Sequence, residues 1–130
     1  MPGGAIYFGM AQDDVDRVVS HPLAMIGSDG LPHDEFPHPR LWGAFPRVLG
    51  HYARQRHLFT LEEAVHRLTT MPAANLGIKE RGALRPGYYA DVVVFDPATI
   101  GDRSTFEKPH QYSVGVRDVF VNGVQVLKGG

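Results

Sequence analysis

At 130 residues, 43% hydrophobic and 21% charged, the chain has the size and composition of one globular unit with a modest core. Its formal net charge of −1 argues against a nucleic-acid partner, which would call for a strong basic excess, and the absence of cysteine excludes disulfides and thiolate metal sites. No apolar run approaches bilayer-spanning length and no secretory signal opens the sequence, so we expect no membrane partner and a cytoplasmic location.

Fifteen glycines and ten prolines imply short elements and many turns. Residues 5–8, apolar and partly aromatic, read as a short strand. From Gln12 the pattern becomes helical. Asp13 and Asp14 suit the positive end of a helix dipole, Val15, Val18 and Val19 share a face, and Pro22 stops the helix. Residues 23–27 are an apolar run that reads as a buried strand. A second helix is expected from about Pro46, as its first residue, to about Arg56, with Val48, Leu49, Tyr52 and Ala53 inward. Thr60 to Glu63 has the form of a capping box, in which the Thr60 hydroxyl and the Glu63 side chain each satisfy a backbone N–H. Leu61, Ala64, Val65 and Leu68 follow on one helical face. Pro72 then restarts a short helix to Asn75 or Leu76, which Gly77 closes.

From Gly82 the chain turns to β character. Pro86-Gly87 suits a type II turn, and residues 91–96 form a β-branched run expected to be a strand with little water on either face. Residues 101–115 read as irregular. Asn122-Gly123, between alternating strands, predicts a type I′ hairpin.

The residues richest in chemistry follow the strand at 23–27. Asp29 stands at its C-terminal tip, where α/β folds place reactive groups. Prolines 32, 37 and 39 then hold an extended loop carrying His33, Asp34, Glu35, His38 and Arg40. On spacing alone, Asp29 reads first as a turn residue before Gly30, and Arg40 equally as a solvent-facing loop arginine or a binding group. His33, Asp34, Glu35 and His38 lack the spacing of a helical metal pair and read as loop scaffolding. Trp42 reads as a packed aromatic, His66 and His110 as structural, and Asp91 as a turn residue at a strand entry.

The stretch 25–35, continuing through His38-Pro39-Arg40-Leu41-Trp42-Gly43, resembles the active-site segment of the D-aminoacylases, the N-acyl-D-amino-acid deacylases of the metal-dependent amidohydrolase superfamily. Residues 61–65, 71–74, 82–87, 90–96, 111–112 and 119–123 are similar to the C-terminal signature of that superfamily, which dihydroorotase-like members share. The resemblance implies an α/β fold: the last strand and closing helices of a (β/α)8 barrel over residues 1–80, then C-terminal strands of a β-sandwich over residues 81–130. A complete barrel takes about 250 residues, so the chain is expected to be the C-terminal portion of a larger enzyme.

By the same resemblance, Asp29 is the catalytic acid–base and a zinc ligand, and Arg40 binds the substrate α-carboxylate. The reaction implied is amide hydrolysis of an N-acyl-D-amino acid. The superfamily's other metal ligands include a His-x-His pair, and none occurs among the seven histidines. A catalytic zinc takes three protein ligands, so the isolated chain is expected to be inactive. Strands and helix faces without their neighbours would expose edges and apolar surface, which implies a homo-oligomer or association with the missing barrel portion. Two other readings stand beside this one: a non-catalytic structural or oligomerisation module, and an amidohydrolase of another substrate class.

Overall fold

The computed structural model describes residues 6–32 and 35–130. Among the described residues, four α-helices and one π-helical segment precede a three-stranded antiparallel sheet of order β1-β2-β3. Helix α1 (Gln12–Ser20) begins with the two expected acids and ends before Pro22. Its buried residue is Asp16, whereas Val18 is exposed. Asp16 is turned inward because Gln12 donates to it at 2.7 Å and Arg56 forms an ion pair with it.

The expected strand at 23–27 pairs with no strand among the described residues. Residues 24–30 nonetheless alternate in burial residue by residue: Ala24, Ile26, Ser28 and Gly30 are half-buried, and Met25, Gly27 and Asp29 exposed. That is the period of a strand. The segment's backbone tie to the helices that follow is from the Ile26 N–H to the Arg67 carbonyl, a long 3.5 Å. The strand expected at 5–8 is likewise not formed over residues 6–8, and residue 5 lies outside the described residues. Phe8 instead packs edge-on against Phe106, with ring centroids 4.8 Å apart.

Helix α2 (Arg40–Arg47) starts six residues earlier than the proline rule suggests, which puts Pro46 inside it. Proline has no N–H to give the carbonyl four residues back, here that of Trp42. The Ser113 hydroxyl donates to this carbonyl instead, at 2.9 Å. Immediately after α2 the helix widens to i→i+5 hydrogen bonding over Val48–Gln55, and the Arg56 N–H closes it on the His51 carbonyl at 2.8 Å. Val48, Leu49 and Ala53 point inward as expected, and Tyr52 is half-buried beside them. Gly50 permits close packing: a Cβ there would collide with the Ile100 carbonyl oxygen.

Helix α3 (Leu61–Leu68) is capped by the Thr60 hydroxyl, which accepts from the Glu63 N–H at 3.2 Å. The reciprocal half of the box is absent, because Glu63 pairs with Arg67 at 2.9 Å. Arg67 also takes the inward position expected of Val65. Helix α4 (Thr70–Asn75) starts two residues before Pro72 and ends at Gly77, whose φ is +68°.

In the C-terminal part, the Tyr88 N–H bonds the Arg85 carbonyl at 3.1 Å and Gly87 has φ +86°, as a type II turn requires. Strand β1 (Val92–Phe95) pairs with β2 (Val116–Val121), and β2 with β3 (Val124–Lys128). Contrary to expectation, Val93 is 54% exposed, because β1 is an edge strand with one bare face. Asn122 and Gly123 both have positive φ, the mark of the I′ hairpin. Asp91 holds this turn: it accepts from the Asn122 N–H at 2.8 Å and pairs with Arg81, and these two contacts, in that order, lower its pKa.

The core joins both parts of the chain. Val48, Leu49, Ala53 and Ala64 pack with Ile100, and Ile26, Phe59, Phe95 and Val116 lean on them. Beyond it much apolar surface is open, including Leu23, Leu31, Phe36 and Val124. Among the described residues no helix is long and apolar enough to cross a membrane.

Arg67 is the buried charge at the centre of the helical part. It donates to the Val19 and His21 carbonyls at 2.7 and 2.9 Å and to Glu63 at 2.9 Å, and it lies over the Phe59 ring at 4.8 Å. Arg67→Met would strand Glu63 and the carbonyls at the end of α1, with an expected loss of about 3–5 kcal/mol. Urea unfolding followed by circular dichroism checks this, and a loss below about 1 kcal/mol, the level of a surface pair, would contradict it.

Candidate active site at the tip of the extended segment

Two features bring the extended segment to the start of α2. Gly30 passes so close that a Cβ there would stand 2.8 Å from Leu41 Cδ1 and 3.0 Å from its Cα. Asp29 adopts a left-handed conformation, φ +47°, which asparagine and aspartate tolerate better than other side-chain-bearing residues. The result is an ion pair between Asp29 Oδ2 and Arg40 Nη2 at 2.8 Å. The aspartate side chain is 76% exposed and the arginine 38%. The two residues singled out in the sequence thus share one point in space.

His38 belongs to the same cluster as a scaffold. Its Nδ1 accepts the Arg40 N–H at 3.1 Å, which fixes the first turn of α2, and its ring meets the edge of Phe106 with centroids 5.2 Å apart. As an acceptor it must be neutral. Burial lowers its pKa from the usual 6.5, and the Arg40 charge lowers it further, with Asp29 acting in the opposite sense. His33 and Asp34 lie outside the described residues. The Glu35 carbonyl is bonded to His110 Nε2 at 2.8 Å, so His110 ties this loop to the C-terminal part. Trp42 packs edge-on against Tyr112 and His110, and His66 is exposed on α3. Sequence reasoning missed the role of Arg67 in anchoring this segment. The Glu63/Arg67 spacing was its one visible trace.

Among the described residues no group of three His, Asp or Glu side chains is placed to hold a metal ion. Asp29 fits as a single exposed oxygen donor and Arg40 is a cation, so these residues alone do not compose a zinc site. Among the same residues, Arg40 Nε and Trp42 Nε1 are buried donors without a partner.

The amidohydrolase family model matches residues 4–127. The chain belongs to the amidohydrolase family. It is 58% identical over 125 residues to a D-aminoacylase of Alcaligenes xylosoxydans xylosoxydans, covering 96% of this chain and 26% of that protein. With an N-acyl-D-aspartate deacylase of the same organism it shares 54% identity over 128 residues, 98% of this chain and 26% of the relative. The crystal structure of an N-acyl-D-glutamate deacylase from Bordetella bronchiseptica, complexed with zinc and a phosphonate mimic of the tetrahedral intermediate, superposes with a TM-score of 0.91. It is 57% identical, over 92% of this chain and 25% of that one. This amidohydrolase chain therefore spans about a quarter of the length of the curated relatives it matches.

The direction of the His38 pKa shift has a consequence for stability. The folded state binds that proton less readily than the unfolded chain does. Its contribution is therefore intact above pH 6.5 and is lost as pH falls below 6.5 toward the lowered folded value. His38→Asn keeps an acceptor near the Arg40 N–H but does not titrate. Between pH 7 and 5 the variant should lose less stability than the parent chain in urea titrations, and equal losses would refute the assignment.

Proposed function

We propose that these residues are the C-terminal part of a zinc-dependent N-acyl-D-amino-acid deacylase, which hydrolyses an amide to a carboxylate and a free D-amino acid. In this reading residues 1–80 close the barrel and residues 81–130 belong to the sandwich. The exposed row of Leu23, Met25 and Asp29 faces the rest of the barrel.

The observation that carries the reading is the 2.8 Å approach of Asp29 to Arg40. In an N-acyl amino acid the leaving nitrogen and the α-carboxylate are bonded to the same carbon. A group that protonates that nitrogen and a group that grips that carboxylate must therefore be neighbours. Asp29 accepts the proton of the attacking water and returns it to the departing amine, and its exposed carboxylate leaves room for both. Arg40 offers two parallel N–H groups to the substrate carboxylate, which takes the place of Asp29 on the guanidinium. Zinc, when bound, supplies hydroxide near neutral pH; Asp29 would be one of its ligands, and the others come from outside the residues described. The names of the three relatives support N-acyl-D-amino acids as the substrate class.

The test is hydrolysis of N-acetyl-D-amino acids and their L-enantiomers by the full-length, zinc-supplemented enzyme. Turnover should be D-selective, and Asp29→Asn should lower kcat by roughly 10²–10⁴-fold, the usual worth of a positioned acid–base. The 130-residue chain with zinc should be inactive. An unimpaired Asp29→Asn variant or a preference for L-substrates would reject the reading, and turnover by the short chain would refute the need for ligands from elsewhere.

A further inference from the structure

Arg40 is held from both sides by a single irregular stretch of the C-terminal part, and we infer that His110 in this stretch is a positioning residue for substrate recognition by Arg40. The inference rests on the deacylase reading above. Ahead of Arg40, His110 Nε2 bonds the Glu35 carbonyl at 2.8 Å, and Phe106 presents its ring to His38. Beyond Arg40, Trp42 packs edge-on against His110 at 5.9 Å, and Ser113 bonds its carbonyl at 2.9 Å.

The connection from Glu35 to Arg40 is stiff. Pro37 and Pro39 fix two of the intervening φ angles, Pro37 is buried, and the Arg40 N–H is itself held by His38. A displacement of Glu35 therefore reaches Arg40 with little taken up on the way. To donate to a carbonyl, His110 must carry its proton on Nε2. The residue is exposed and its contacts are the Glu35 carbonyl and the Trp42 ring, so its effect on catalysis runs through the placement of the guanidinium.

The contact spans 75 residues of sequence and joins the irregular stretch before β2 to the loop that leads into α2. It gives the C-terminal part a share in substrate binding as well as in stability. Because Arg40 grips a carboxylate and does no bond-breaking, misplacing it should weaken binding and leave the chemical step nearly untouched.

The experiment uses the full-length, zinc-loaded enzyme with N-acetyl-D-amino acid substrate and four variants: His110→Ala, His110→Gln, Arg40→Met, and the double variant His110→Ala/Arg40→Met. His110→Ala should raise KM roughly tenfold with kcat changed less than about twofold and the melting temperature unmoved, the size expected for one lost hydrogen bond and a shifted binding group. His110→Gln, which restores an N–H donor, should recover most of the loss. In the Arg40→Met background, His110→Ala should add nothing further. If Arg40→Met raises KM and His110→Ala does not, the positioning role is overturned while the deacylase reading stands. The same factor lost in both backgrounds, or a fall in melting temperature matching the kinetic loss, overturns it too. If Arg40→Met leaves KM unchanged, the assignment of Arg40 fails and the inference fails with it.

Discussion

A guanidinium removed from water is the constraint on which this structure turns. Arg67 has a side chain only 4% exposed, so each of its donors has to meet an acceptor inside the protein. The carbonyls of Val19 and His21, at the end of α1, supply acceptors that a helix terminus leaves unmet in any case. Glu63, one turn earlier on α3, supplies the countercharge. The backbone carbonyl of Arg67 receives the Ile26 N–H, in the middle of the segment that ends at Asp29. One side chain thus joins α1 to α3, and one residue guides the extended chain between them. A strand in a sheet is held by two neighbours; this segment is held by the Arg67 carbonyl and by the packing of Ile26 on the core.

What could be read from the sequence was what depends on local chemistry. The Asn122-Gly123 hairpin, the Pro86-Gly87 turn, the Thr60 cap and the stop at Gly77 each rest on a few adjacent residues, and each has the expected geometry. What could not be read depends on distant parts of the chain. Residues 24–30 have the alternation of a strand, but pairing is a property of neighbours, and none is present among the described residues. The start of α2 was misplaced because Pro46 was given the position where proline costs least, while the structure accepts it further in and recruits Ser113 to compensate. Val65 yielded its inward place to Arg67 because apolar periodicity does not count a charge that brings its own partners.

The candidate site divides in the same way. Asp29 and Arg40 could be named from the segment they occupy, but their contact could not, since it needs the left-handed turn at Asp29 and the bare Cα of Gly30 against Leu41. A small residue and an unusual backbone angle, neither of them reactive, set the distance between the two groups that carry the proposed chemistry. His38 adds a neutral acceptor between them and the Phe106 ring, and its protonation is opposed by the very cation it positions.

The proline in α2 has a longer reach than its own helix. By withholding a hydrogen from the Trp42 carbonyl it leaves an acceptor that a hydroxyl from the other end of the chain fills. Positions 46 and 113 are therefore linked through one carbonyl. A helix with an ordinary residue at 46 would satisfy Trp42 by itself and leave the serine without its role, and a chain that keeps the proline but loses the serine would leave the carbonyl to water.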